Sequence, residues 1–167
     1  MLFNVATAGA ALLALSGSAV AVPQRKNAGA ASGSNMCDVS TFNNGADYSI
    51  PQASAADCTA LIQSLDNREQ TWSVAHSWAR LVTYGTCAFS VRVIAGSVNG
   101  LVGGADLYDL VNDSVKNYAQ DGKVSCTGQY GQVVSSEGEV NCNTTPSGYS
   151  QVRVEWIVSD SSYNPSN

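Results

Sequence analysis

Apolar positions recur along this chain at several different periods, and each period predicts a different element. Residues 5–20 are almost all small or apolar, and Ala19 and Ala21 flank one position as in an A-x-A cleavage pattern. The run is too short to cross a bilayer and polar sequence follows it, so 1–21 reads as a signal peptide cut after Ala21. Residues 22–35 are rich in Ala, Gly, Ser and Asn without a hydrophobic period, which predicts a flexible leader. Arg25-Lys26 inside it is either a dibasic processing site or a chance pair. The spacing of Cys58, Leu61, Ile62 and Leu65 predicts a helix over 52–67, opened by Ser54 and Asp57 at capping-box spacing.

Residues 71–81 alternate, which predicts one strand with Trp72, Val74, His76 and Trp78 on a single face. Tyr84-Gly85-Thr86 turns the chain into a second strand over 87–94, with Cys87, Phe89, Val91 and Val93 sharing a face. Gly96 to Gly100 breaks that strand. A second helix is expected over 106–119, with a buried stripe of Leu107, Leu110, Val111, Val115 and Tyr118. Asp106 and Asp109 suit its positive N-terminal end. Asp121-Gly122 reads as a turn, 123–134 as a strand, and 135–148 as the most mobile loop of the domain. Residues 151–158 alternate cleanly, with Val152, Val154, Trp156 and Val158 inward. The polar tail 159–167 is expected to be disordered, leaving 36–158 as the folded domain. Helices segregated from strands in this order imply an α+β two-layer sandwich: two helices on a mainly antiparallel four-stranded sheet.

Composition narrows the function. The chain has 167 residues, enough for one domain, and only 13% of them are charged. The net charge of −5 argues against phosphate-neutralising nucleic-acid binding and against a basic membrane-surface protein. A single histidine excludes a two-histidine acid/base pair or a multi-histidine metal site. A secreted chain reads its five cysteines as disulfides, and no C-x-x-C pair is present. Two bridges and one leftover thiol is the simplest account, the leftover being buried or paired with another chain. Cys58–Cys87 follows from direction. A short connection makes the first helix antiparallel to the next strand, so Cys58 lies at the end of the sheet where the second strand begins with Cys87.

His76 is the only candidate general base. A secreted nuclease or hydrolase could combine it with Glu69 or Glu155 and with Arg92, but no motif supports that set and a packed histidine weighs more. Asp106, Asp109 and Asp113 lack the alternating oxygen ligands of a calcium loop, so dipole complementation is favoured. Gly96, Gly100, Gly103 and Gly104 are not followed by Gly-Lys-Ser/Thr, so they form no phosphate loop. Trp72, Trp78 and Trp156 could stack on sugars, although their strand phase favours core packing. No Gly-x-Ser-x-Gly elbow exists. Two sequons, Asn112-Asp113-Ser114 on the helix and Asn143-Thr144-Thr145 in the loop, are candidate glycosylation sites. No catalytic residue, cofactor or metal is assigned.

Several runs combine into a recognisable signature. They are Ala56-Asp57-Cys58 with Leu61, Trp72, and Tyr84-Gly85-Thr86-Cys87-Ala88-Phe89-Ser90-Val91. Val102-Gly103-Gly104-Ala105-Asp106-Leu107-Tyr108-Asp109, Gly122-Lys123-Val124 and Val154-Glu155-Trp156 complete it. The combination resembles the fungal necrosis-inducing-factor domain family, homologues of a secreted Cladosporium fulvum effector. The chain departs from the pattern between Lys123 and Cys142, where the family is shorter and has one cysteine. Either Cys126 or Cys142 could fill that position; the Gly138-Glu139-Val140-Asn141-Cys142 run fits it better, so the second bridge is assigned as Cys37–Cys142 with Cys126 as the free thiol. The resemblance further implies a secreted virulence protein linked to host cell death, with killer-toxin-like relatives; the expectation is a monomer that binds an extracellular or membrane target of a host or competitor, with a killer-toxin-like membrane-active protein as the alternative. It supplies no catalytic residue.

Overall fold

The computed structural model describes residues 33–65, 68–123, 130–148 and 150–166. The signal peptide, most of the leader and Cys126 lie outside the described residues. In chain order the elements are β1 (Asn43–Asn44), a 3-10 turn (Gly45–Tyr48), β2 (Ala53–Ser54), α1 (Ala55–Gln63), β3 (Thr71–Val74), β4 (Ala79–Tyr84), β5 (Cys87–Ala95) and β6 (Gly100–Gly103). Then come α2 (Gly104–Tyr118), β7 (Gln120–Lys123), β8 (Tyr130–Val134), β9 (Ser136–Asn143) and β10 (Gln151–Asp160). All described strand pairs are antiparallel, and both helices pack on strands, so the class is α+β. The expected single four-stranded sheet is instead three: a five-stranded sheet β1-β9-β10-β5-β4, a three-stranded sheet β2-β8-β7, and the ribbon β3-β6.

The core sits on the inner face of the five-stranded sheet. Val152, Val154, Trp156 and Val158 of β10 are buried there beside Cys87, Phe89, Val91 and Val93 of β5. The Trp156 indole lies 6.3 Å from the Phe89 ring and 5.0 Å from Phe42, edge-on to the latter, and its Nε1 donates to Ser40 Oγ at 2.7 Å. Leu61 and Ile62 of α1, and Leu107, Leu110 and Val111 of α2, close the core from the helical side. Partners for the indole N–H and a full apolar surround are what burying so large a ring requires.

Residues 135–148 are not a mobile loop. Ser136–Asn143 is a strand hydrogen-bonded between β1 and β10, and the inward positions of β9 are Ser136, Gly138, Val140 and Cys142. Gly138 is the smallest because Trp156 stands directly opposite it. A Cβ on Gly138 would meet Trp156 at 2.7 Å and collide with the Thr41 carbonyl oxygen. The alternation is present but too weakly apolar to be read as a strand.

Other boundaries move for equally local reasons. The alternating run 71–81 is two strands, split by a turn at 75–78. Asp121 and Gly122 pair with β8 and do not turn the chain. The C-terminal segment is ordered well past residue 158. Ser159 and Asp160 are buried in β10, the Asp160 amide donates to the Pro51 carbonyl, and Arg80 Nη2 donates to the Tyr163 carbonyl at 2.7 Å. Ser34, assigned to the leader, is already docked: its amide donates to the Arg68 carbonyl and its own carbonyl accepts from the Ala105 amide.

Opposite Trp156, an added methyl should overfill the core. Gly138→Ala is expected to lower stability by about 1–3 kcal/mol. Gly131→Ala, at a position where an added Cβ meets nothing within 4 Å, should stay within about 0.5 kcal/mol of the wild type. Paired urea unfolding curves of the two variants measure the difference; equal midpoints would show that Trp156 does not dictate a glycine opposite it on β9.

Candidate functional site

Two acidic clamps explain where the signature residues sit. Asp57, in the first turn of α1, does not complete a capping box. Its Oδ2 accepts from the Thr86 amide at 2.8 Å and from Thr86 Oγ1 at 2.7 Å, and Ser54 has no side-chain cap bond. Gly85 lies against this carboxylate, in the left-handed region at φ 54°, where a Cβ would strike it at 2.6 Å. Asp106, in the first turn of α2, accepts from the amides of Gly103 at 2.8 Å, Met36 at 2.7 Å and Cys37 at 3.2 Å. It therefore caps its own helix and ties down the N-terminal segment. Each clamp adjoins a disulfide. Cys58–Cys87 joins α1 to the start of β5 with its Cα atoms 5.1 Å apart, and Cys37–Cys142 joins the N-terminal segment to β9. On the chain-entropy model the bridges contribute about 4 and about 5 kcal/mol for their separations of 29 and 105 residues.

Of the residues proposed for hydrolysis, Arg92 and Glu155 pair with each other, while His76 is engaged by a backbone carbonyl. Arg92 Nε donates to Glu155 Oε2 at 2.6 Å, and its guanidinium lies 4.8 Å from the Trp78 ring centre. Arg153 and Glu139 form a second, more open pair at 3.5 Å on the same outward face of the sheet. His76 is exposed in the turn at 75–78, and its Nε2 lies 2.9 Å from the Gly96 carbonyl oxygen. A carbonyl only accepts, so that nitrogen carries the proton. Glu69 is exposed just before β3. Only Trp156 is a core tryptophan; Trp72 and Trp78 are half-buried and do not share a strand. Asp106 is occupied by backbone amides, and Asp109 lies close to Arg68, which stacks 3.3 Å over the Tyr108 ring. The sequons also differ from expectation. Asn143 ends β9 and is not in a loop, while Ser114 of the Asn112 sequon is fully buried, donating to Leu110 and accepting from Ser136 Oγ.

The structure also assembles a feature that no single stretch of sequence announces. The turn at 75–78 and the turn at 96–99 lie side by side and are braced across: Val93 amide to Ala75 carbonyl at 2.8 Å, His76 to Gly96, and Asn99 Nδ2 to Ser73 Oγ at 3.2 Å. Gly96 holds a φ of 119°, and a Cβ there would meet Val152 Cγ1 at 2.5 Å. Residues 94–99 are all exposed, including Ile94 at 37% and Val98 at 52%. No Asp, Glu, Lys or Arg occurs from Ile94 to Ala105 or from Thr71 to Ala79. That charge-free interval was the only signal in the sequence. A shallow cleft of about 300 Å³, lined by Ala55, Ala56, Thr59, Val115 and Gln132, lies elsewhere and carries no ionisable side chain.

Burial raises the Asp106 carboxyl to about 6, against the opposing effect of the Met36, Gly103 and Cys37 amides; the Asp109 charge adds to the rise. Burial and the Asp113 charge also raise Asp109. A carboxyl whose folded pKa lies above its unfolded value stabilises the fold fully below the unfolded pKa, and that contribution is lost as pH rises through the folded one. Between the ordinary 3.8 and about 6, the loss amounts to about 3 kcal/mol. Melting curves across that window should therefore show a stability decline with rising pH that Asp106→Asn flattens. Parallel wild-type and variant curves would dismiss this linkage.

No curated protein matches the chain. Residues 36–142, more than half of the chain, match the family model Hce2, described as "Pathogen effector; putative necrosis-inducing factor". That match begins at the N-terminal segment held by Asp106, ends at the cysteine that staples it, and contains both clamps. The chain belongs to the Hce2 family of pathogen effectors.

Proposed function

We propose that this effector is secreted and acts as a monomer by binding an extracellular or membrane target of a host or competitor, promoting cell death without catalysing a reaction. The observation that carries the reading is the fate of the reactive groups. His76, Arg92 and Glu155 are engaged within the fold, the first by a carbonyl and the other two by each other. Val98 stands exposed instead on a turn braced to its neighbour, with Ile94 exposed on the strand that leads into it. Preorganisation of this kind reduces the ordering cost of association. Family membership and the two disulfides fit a protein that works outside the cell.

The discriminating substitution is His76→Gln, whose amide can donate to the Gly96 carbonyl but cannot act as an acid–base group. Infiltrated into host tissue, the variant should keep the wild-type cell-death response within about twofold, whereas loss of a general base costs about 100-fold or more. A response abolished in His76→Gln that still melts like the wild type, while the charged substitution Val98→Asp on the neighbouring turn stays fully active, would favour the hydrolase reading.

A further inference from the structure

We infer that Asn143 is an N-glycosylation site and that the other sequon, at Asn112, stays bare. This rests on the secretion part of the reading above and adds a covalent modification to it. The donor is a lipid-linked oligosaccharide pyrophosphate of the secretory pathway. Asn143 Nδ2 attacks C1 of its first sugar. The N–C1 bond forms, the C1–O bond to the pyrophosphate breaks, the lipid pyrophosphate leaves, and one amide proton passes to a base of the transferase. The chain must supply a side-chain amide free to react, a hydroxyl two residues on that is free to be recognised, and room for the sugar. Asn143 ends β9 on the outward face with Glu139 and Asn141, away from the buried Val140 and Cys142. Its backbone is fixed, the amide donating to the Met36 carbonyl. Its side chain is not: Oδ1 accepts one long bond, from Gln151 Nε2 at 3.4 Å, and among the described residues Nδ2 donates to no group. Residues 145–148 are all exposed, and the Thr145 hydroxyl meets only that of Ser147, at 2.8 Å.

Asn112 fails where Asn143 succeeds. It sits within α2, and its Nδ2 is turned to Asp113 Oδ1 at 3.4 Å. The Ser114 hydroxyl is fully buried between the Leu110 carbonyl and Ser136. Asp113 also sets a negative charge beside the anionic leaving group, whereas Thr144 in the other sequon is neutral. Pro146 works against Asn143. It restricts Thr145 to extended backbone, and the chain then bends at once, the Gly148 amide donating to the Thr145 carbonyl. The proline crowds the recognised hydroxyl, so the site is filled in only part of the secreted molecules. Gln151, the partner of Asn143, opens β10, and Arg153 beyond it pairs with Ala95 at the end of β5. The sugar therefore stands at the end of the sheet that carries the 96–99 turn and bounds that surface on the β9 side.

The test expresses the full chain in yeast and measures intact mass before and after peptide-N-glycosidase. Part of the wild type recovered from the medium should lose the mass of one glycan. Asn143→Gln and Thr145→Ala should lose none, Asn112→Gln should match the wild type, and Pro146→Ala should raise the modified fraction. Thr145→Ala leaves the Asn143 side chain and the β9 pairing in place, so loss of the glycan there reports recognition of the sequon and not misfolding. A glycan that persists in Asn143→Gln or Thr145→Ala, or that disappears in Asn112→Gln, would overturn the assignment. Unmodified wild type in the medium would overturn the site alone. Unmodified wild type retained inside the cell would overturn the secretion reading and the site with it.

Discussion

A buried carboxylate holds two distant stretches of this chain together. Asp106 takes the amides of Met36 and Cys37 from the N-terminal segment and that of Gly103 from the end of β6, while itself belonging to α2. With those amides in place, the Ser34 carbonyl accepts from Ala105, and Gly103 must be glycine because a Cβ would collide with Ser34. Cys37 is thereby set opposite Cys142, and the segment from Met36 to Thr41 runs along β9 through bonds to Asn143, Asn141 and Glu139. Only then do Ser40 and Phe42 reach Trp156, one by hydrogen bond and the other ring to edge. An apolar residue at position 106 would leave three amides without their acceptor, each a desolvation penalty of about 1–3 kcal/mol.

The second clamp repeats this logic at the other end of the core. Asp57 holds Thr86, Thr86 Oγ1 accepts from the Ser54 amide, and the Thr86 carbonyl accepts from Ser161. The C-terminal segment is ordered by this chain of bonds and by Arg80, despite a composition that suggests a loose end. In both clamps a carboxylate fixes amide positions beside a disulfide. Removing conformational freedom from neighbouring parts of the chain is how a domain with so few charges and a modest core reaches stability.

How much of the fold is legible in the sequence depends on where the large residues lie. β10 was legible because Val152, Val154, Trp156 and Val158 alternate with polar neighbours. Its partner β9 was not, because the volume of Trp156 forces a glycine onto the facing strand. A large side chain thus advertises its own strand and conceals the next. The division between β3 and β4 was hidden for another reason. Alternation continues through Ala75 to Trp78, and only pairing with β6 and β5 shows where the ladder changes partner. β1 and β2, at two residues each, are too short for any period. Cys58 and Cys87 were approachable from direction alone, since a short connection determines which ends of adjacent elements meet. The Asp57 and Asp106 contacts involve partners 29 and 70 residues away, and no local spacing reports them.

The same division separates what identifies this chain from what would let it act. The signature runs contain the clamps, the glycines beside them and the disulfide cysteines Cys58 and Cys87. Residues 75–78 and 96–99 lie outside every one of those runs, although they are bounded by β3, β4, β5 and β6, which the clamps help to position. The turns need little from their own sequence beyond the braces and Gly96, because the strands beneath them hold their ends. Their exposed side chains can therefore change without disturbing the buried carboxylates or the staples. A scaffold arranged in this way stabilises one fold while leaving its contact chemistry open, so membership of the family specifies the support more closely than the target.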